Sequence, residues 1–532
     1  MTLIVIYASL CIIKLLNKSE GIIMKHTVVT ADYPIIQTTG GAVHGMEIDG
    51  VLTFRGIPYA QAERFAPPRE VSWQGVKACY AYGDICPSEG TSLSTLYSTH
   101  RYWPASENCL NLNLWTSDVH AKKPVMFWIH GGGFSGGSSI DEALTDGDVL
   151  AKTGEVVVVS VNHRLNCLGF LDLRAYGERY KHSANLGLDD LVAALRWVHD
   201  NIASFGGDPD NVTVFGQSGG GGKIMALMQM PSADGLYHKA ILQSGIMPIS
   251  DTLRMSERHG QLTVQALGLD KKTIDEIQTI PYSRLCAASR EALQQMGPGH
   301  FDAYGPHPDA EHVLDDFLTA GFRPETAHVP VMAGTCIGEL SLFGPGGLKP
   351  SLFTQEEKDF LTHEEKVERL RSYFGDDAPQ IAEALAQAYP GLDPLYATSI
   401  DMNIRPRNEQ YVHARSGFAS AAVYQYVLAY TVPVLEGKLA WHGADLGFCF
   451  GTLERSDSLC SGEHAHSLMV KMRDAWISFA KTGNPGVDSL PKWQAYTHEH
   501  PATMIFDTQC RCEESHDKQL LALLKKHQKP MF

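Results

Sequence analysis

The sequence predicts an α/β protein built on a large, mostly parallel, doubly wound sheet. Three observations predict it. Continuous apolar runs, Val125-Met126-Phe127-Trp128-Ile129 and the six residues 156–161, read as strands buried on both faces. Leu188, Leu191, Val192, Leu195, Val198, Ile202 and Phe205 fall at helical spacing, and Gly206-Gly207 stops that helix. The two patterns alternate along the chain, which is the order of β-α-β units.

Taken in order, the chain begins with an apolar stretch over residues 1–16. At about 15 residues it is short for a membrane span. No basic residue precedes it, Lys14 interrupts it and no small-residue cleavage pattern follows. Residues 1–23 are therefore expected to be an extension outside the fold, with a secretory or anchoring segment as the alternative reading, and no stable membrane span is expected. Residues 34–76 read as short strands and turns, with Phe54-Arg55-Gly56-Ile57-Pro58-Tyr59-Ala60 and Arg64-Phe65-Ala66-Pro67-Pro68 rich in turn formers. Cys86 and Cys109 stand at the two ends of a polar loop. They could close it, or be two free thiols.

Strands are expected at 125–129, 156–161, 211–215, 240–242, 331–333 and 423–428, with Pro330 tolerated at a strand's start. Residues 251–325 and 350–420 read as mainly helical. No repeat, low-complexity tract or long linker appears, so residues 24–532 are expected to form one domain with helical insertions.

The totals narrow the function classes. Of 532 residues, 44% are hydrophobic and 20% charged, and the net charge is −16. That acidity argues against a nucleic-acid partner, which needs a basic surface. Eleven cysteines are too few for a disulfide-built scaffold, and none forms a pair or cluster with zinc spacing. Cys510 and Cys512 are too close together for the usual zinc pair and read as a pairing without significance. A cytoplasmic protein is the favoured reading, and the sequence is silent on oligomeric state.

The chemistry centres on Asn211-Val212-Thr213-Val214-Phe215-Gly216-Gln217-Ser218-Gly219-Gly220-Gly221-Gly222. A β-branched run breaks at a glycine, offers one serine and continues into small residues that open a helix. Gly216-x-Ser218-x-Gly220 fits a nucleophile elbow, although a bare glycine-rich turn would look similar. A phosphate loop fits poorly, because Lys223 falls one residue late and Ile224 follows it. A second glycine loop, His130-Gly131-Gly132-Gly133, follows a buried strand 85 residues earlier, counted from Gly131 to Gly216. Glycines there leave backbone N–H groups free to face a developing oxyanion, with Gly132, Gly133 and Gly219 the candidate donors. An acyl-transfer serine also needs a base and an acid downstream. Glu339 follows a short apolar strand, and His442 sits in the turn Trp441-His442-Gly443. Many carboxylates and histidines follow Ser218, so chain order alone does not select these two.

The motifs together resemble the type B carboxylesterases, the family of bacterial carboxylesterases and the cholinesterases. The resemblance runs over roughly residues 34–507. It includes residues 54–60, Ser106-Glu107-Asn108-Cys109-Leu110, Phe205-Gly206-Gly207-Asp208-Pro209, Gln243-Ser244-Gly245 and the stretch 479–485. It implies an α/β-hydrolase fold and an ester hydrolase with nucleophile Ser218, acid Glu339, base His442 and oxyanion donors Gly132, Gly133 and Gly219. It further implies ion pairs Arg64–Glu107 and Arg164–Asp190, and a loop disulfide at Cys86 and Cys109. The expected substrate is a small-molecule ester, with no cofactor and no metal. The chain departs from the family at Gln217, where many members carry a glutamate beside the nucleophile, and at Gly219, where alanine is usual. Trp103 does not match the cholinesterase aromatic position either. The lost charge argues against a cationic alcohol such as choline. Ser244 reads as a structural serine. A lipase and a non-catalytic adhesion protein on the same fold are the alternatives.

Overall fold

A computed structural model describes residues 34–88, 99–247, 252–297, 301–309, 311–314, 321–344, 347–348, 352–434 and 437–528. The predicted extension, residues 1–23, lies outside these residues. The architecture is set by an eleven-stranded sheet. Its strands in chain order are β1 (Met46–Ile48), β2 (Val51–Pro58), β3 (Asn111–Thr116), β4 (Lys123–Ile129), β5 (Val157–Val161), β6 (Gly207–Gln217), β7 (Lys239–Gln243), β8 (Val331–Cys336), β9 (Val423–Leu428), β10 (Ala502–Phe506) and β11 (Arg511–Glu514). Their spatial order is β11-β10-β9-β8-β7-β6-β4-β5-β3-β2-β1. The seven strands from β10 to β5 are parallel, and antiparallel strands close both edges. This is the α/β-hydrolase type of sheet, mostly parallel as the sequence predicts.

The continuous apolar runs follow from burial on both faces. Val125, Phe127 and Ile129 pack on the side of helix α1 (Leu186–Asn201), against Leu191, Leu195 and Val198. Met126 and Trp128 point to the other side, with Phe215, Ile241 and Met332. There helix α3 (Ala465–Thr482) covers them with Leu468, Met472, Trp476 and Phe479. Helix α2 (Gly219–Leu227) starts directly after β6.

Several boundaries differ from the sequence expectation for identifiable reasons. β6 begins at Gly207 rather than 211, because the turn-forming Gly207-Asp208-Pro209-Asp210 stretch is drawn into the ladder beside Lys123 through a register irregularity. β3 carries two asparagines on its inner face, which hides it from a hydrophobic pattern. Asn113 is satisfied there by Ser139 and Ser160 at 3.1 and 3.2 Å. The segments expected to be helical hold, among others, Thr252–Ala266, Tyr282–Met296, His363–Phe374, Ala378–Ala388 and Ile404–Phe418. Cys512 lies in β11 opposite Met504. Among the described residues no helix is long and apolar enough to cross a membrane.

Candidate active site

The parallel strands β4, β6, β7 and β8 all point their carboxyl ends to one edge, and that edge collects the predicted site residues. Register puts Ile129 of β4 beside Gly216 of β6, Gln217 beside Gln243 of β7, and Gln243 beside Gly334 of β8. Neighbouring strands lie about 4.8 Å apart, so residues just past these ends share one cleft.

Ser218 sits at the tip between β6 and α2 with φ 56° and ψ −126°, a conformation that a side chain rarely adopts. Its N–H donates to the Gln243 carbonyl at 2.8 Å, which holds the turn against β7. The turn is also crowded. A Cβ at Gly220 would lie 2.0 Å from the Ile129 carbonyl oxygen, so only glycine lets α2 start this close to β4. Backbone strain at a single nucleophilic residue is a mark of a functional turn.

The orientation of the 130–133 loop follows from its carbonyls. In a trans peptide the C=O of one residue and the N–H of the next point in opposite directions. The Gly131 carbonyl accepts from His130 Nδ1 at 2.8 Å. The Gly132 carbonyl accepts the N–H of Gly136 at 3.1 Å, and Gly132 takes φ +88° to permit it. With both carbonyls held, the N–H groups of Gly132 and Gly133 turn the other way. The Gly219 backbone lies directly against Gly133, and its N–H is one of the unclaimed donors of the first turn of α2. Among the described residues no protein acceptor takes the N–H of Gly132, Gly133 or Gly219.

Glu339 and His442 meet as predicted. Glu339 is fully buried, and its Oε2 lies 2.6 Å from His442 Nδ1. A carboxylate only accepts, so Nδ1 carries the proton and Nε2 is left free as a base. The other carboxylate oxygen takes two bonds, from Ser244 Oγ at 2.6 Å and the Cys336 N–H at 2.8 Å. The His442 N–H also donates to the Glu339 carbonyl at 2.9 Å. Burial alone would lower the imidazole pKa, but the Glu339 bond and charge outweigh it, and the net shift is upward. Asp445, also fully buried, adds to that charge while accepting from Gln243 at 2.9 Å and Tyr426 at 2.8 Å. The structure therefore joins Glu339 to His442 directly. It places Ser218 on the same edge, with no hydrogen bond between the Ser218 hydroxyl and the imidazole.

Two residues here escape a sequence reading. Ser244 is structural, as expected, but the group it supports is Glu339 itself. The signal was its place one residue past a strand parallel to β6. Lys223 registers in the sequence only as a failed phosphate loop, and the fold buries it completely behind the elbow. Gln217 is buried with its Oε1 against Gly131, and among the described residues its Nε2 has no protein partner.

Both expected ion pairs are present. Arg64 Nε reaches Glu107 at 2.8 Å, and Arg164 holds Asp190 through bonds of 2.7 and 2.8 Å. Cys86 and Cys109 are buried free thiols in mutual contact, and that contact, with burial, raises the Cys109 pKa. Among the described residues one group, His182, Glu311 and His312, brings metal-type ligand atoms within 4.8 Å of one another. Its two rings stack face to face at 3.7 Å and 7°, which sets their nitrogens side by side rather than converging on one centre.

Residues 32–523 match the family described as the carboxylesterase family. The para-nitrobenzyl esterase of Bacillus subtilis (strain 168) is 34% identical over 94% of this chain and 99% of its own length. The phenmedipham hydrolase of Pseudarthrobacter oxydans is 33% identical over 89% and 94%. A solved structure of an esterase from Clostridium hathewayi, reported to hydrolyse aliphatic aromatic polyesters, aligns with TM-score 0.86 and 39% identity. It covers 94% of this chain and 100% of that one.

Proposed function

The chain belongs to the carboxylesterase family and is a carboxylic ester hydrolase, and on that premise we propose that it cleaves small to medium esters through an acyl-enzyme on Ser218. His442 Nε2 takes the hydroxyl proton as Ser218 attacks the ester carbonyl. Glu339 keeps the imidazole in the required tautomer and stabilises its cation. The N–H groups of Gly132, Gly133 and Gly219 receive the oxyanion. His442 then protonates the leaving alcohol, and water repeats the sequence on the acyl-enzyme.

The observation that carries this reading is the Glu339–His442 contact, beside a serine held at positive φ on the same sheet edge. Gly222, Met225, Met228, Met247, Phe322 and Tyr411 line an apolar recess along α2, the helix that follows Ser218. Unbranched methionines adapt to chains of different shape. Gln217 leaves this part of the cleft without the charge that would attract a cationic alcohol.

The test is turnover of p-nitrophenyl esters from acetate to palmitate by the parent and Ser218→Ala. The variant is expected to lose at least about 10⁴ in kcat, with the parent's kcat/KM highest on acetate to octanoate. Equal rates for the two proteins would remove Ser218 from the chemistry, and a maximum on palmitate would make the enzyme a lipase.

A further inference from the structure

Lys223 is a buried amine that the ester mechanism leaves without a task. It lies one turn into α2, four residues after Gly219, and is fully buried. Helical side chains lean toward the helix N-terminus, and Lys223 reaches back to the end of β4. There its Nζ donates to the His130 carbonyl at 3.1 Å, its only hydrogen bond among the described residues. The Phe134 ring lies 5.9 Å from the same nitrogen. Burying a lysine without a carboxylate is costly, so its presence in this position calls for a role.

The peptide planes supply one. The carbonyls of residues 131 and 132 are tied back by His130 Nδ1 and by the Gly136 N–H. The plane before them, which carries the His130 carbonyl, is tied by Lys223 alone among side chains of the described residues. The loop is otherwise three glycines, whose backbone has the most freedom to lose. We propose that Lys223 is a positioning residue that anchors the His130 carbonyl and thereby sets the direction of the oxyanion N–H groups that follow it. This rests on the reading of residues 130–133 as the oxyanion loop.

The surroundings fit an amine used as a hydrogen-bond donor. Burial pushes Lys223 down to about 7, offset in part by the Cys86 thiol. His130 faces it from the end of β4 and His163 from the end of β5. Both rings are held well below the usual histidine value, by burial first and by Lys223 second. Arg164 also acts on His163. The rings stack at 5.0 Å and 18° and stay neutral, with Nδ1 donating to the carbonyls of Gly131 and Arg164. The amine therefore donates to His130 in either protonation state.

The experiment compares parent, Lys223→Met and Lys223→Gln on p-nitrophenyl butyrate, together with the inhibition constant of an alkyl trifluoromethyl ketone. That ketone adds the serine hydroxyl to form a hemiketal oxyanion, so it reports the donors directly. Losing a whole oxyanion donor costs roughly 10²–10³ in kcat. Loss of an anchor behind the donors is expected to cost about tenfold. Lys223→Met should lower kcat and ketone affinity by that common factor, with KM within about twofold. Lys223→Gln keeps a donor and should recover most of the loss. Met removes the buried charge at similar length, so the fold is expected to be retained. Lys223 in the parent takes up a proton on unfolding between about pH 7 and the ordinary lysine range. Parent stability should therefore rise with pH across that window, a component that the Met variant lacks. A Met variant with kcat and ketone affinity within about twofold of the parent would overturn the proposal, as would a Gln variant no better than Met. A parent enzyme that the ketone does not inhibit would instead overturn the oxyanion-loop reading beneath it.

Discussion

Glu339→Gln changes the shape of the site by one atom's identity and should nearly abolish turnover. In the parent, one carboxylate oxygen receives Ser244 Oγ and the Cys336 N–H, and the other receives His442 Nδ1. A glutamine must choose which end carries its NH₂. The position fed by two donors accepts only an oxygen, since the Cys336 N–H cannot reverse its role. The amide NH₂ is thereby turned toward His442. It can only donate, so Nδ1 must give up its proton and Nε2 must carry one. That tautomer cannot accept the Ser218 proton. The corresponding carboxylate-to-amide change in a serine protease triad costs about 10⁴ in kcat, or about 5.4 kcal/mol. The same size is expected here, because Glu339 is fully buried and no water can substitute for it. Glu339 also raises the imidazole pKa. The base works only when neutral, so the parent's kcat/KM should climb through a midpoint above the ordinary histidine value, and the variant's residual activity should climb at lower pH. The assay is p-nitrophenyl butyrate hydrolysis from pH 5 to 9. A variant within tenfold of the parent near pH 8 would refute the tautomer argument, and an unmoved acid limb would refute the electrostatic one.

Two other changes probe the frame around these groups. A Cβ added by Gly219→Ala would lie 2.2 Å from the Gly133 carbonyl oxygen. The proposed oxyanion loop must shift to admit it, so kcat on the same ester should fall about tenfold or more, with thermal stability lowered by about 1–3 kcal/mol. Asp190→Ala strands Arg164, whose side chain is 3% exposed and whose other bonds go to the carbonyls of Ala66 and Glu63. Urea unfolding should register a loss of about 3–5 kcal/mol, and a loss under 1 kcal/mol would show that water reaches the pair.

Much of the molecule was legible from composition and order. Strand β9 matches its expected bounds, and β4, β5 and β7 are each within two residues of theirs, because both faces are buried and the apolar run ends where the strand ends. β3 was not legible, since its inward asparagines find partners distant in sequence, Asn113 in Ser139 and Ser160, Asn111 in the Asp84 carbonyl and Asn162. The same distinction governs the site. Ser218 and the glycine loop announce themselves because an elbow and an oxyanion loop are local: the turn demands glycine at particular positions within a few residues. The proposed acid and base are ordinary residues in ordinary turns, and the sequence offers many of each.

What the sequence by itself determined is therefore the α/β alternation, the elbow at Ser218, the glycine loop at 130–133 and, through resemblance, which glutamate and histidine to expect. Tertiary structure alone decided that Ser244 supports Glu339, that Asp445 stands behind His442, and that Lys223 lies against the His130 carbonyl, unpaired by any carboxylate among the described residues. The reason is physical. A turn or an amphipathic helix is specified by neighbours in the chain. A hydrogen bond onto a buried carboxylate or carbonyl exists only once parallel strands have brought residues 95 and 93 positions apart to one edge.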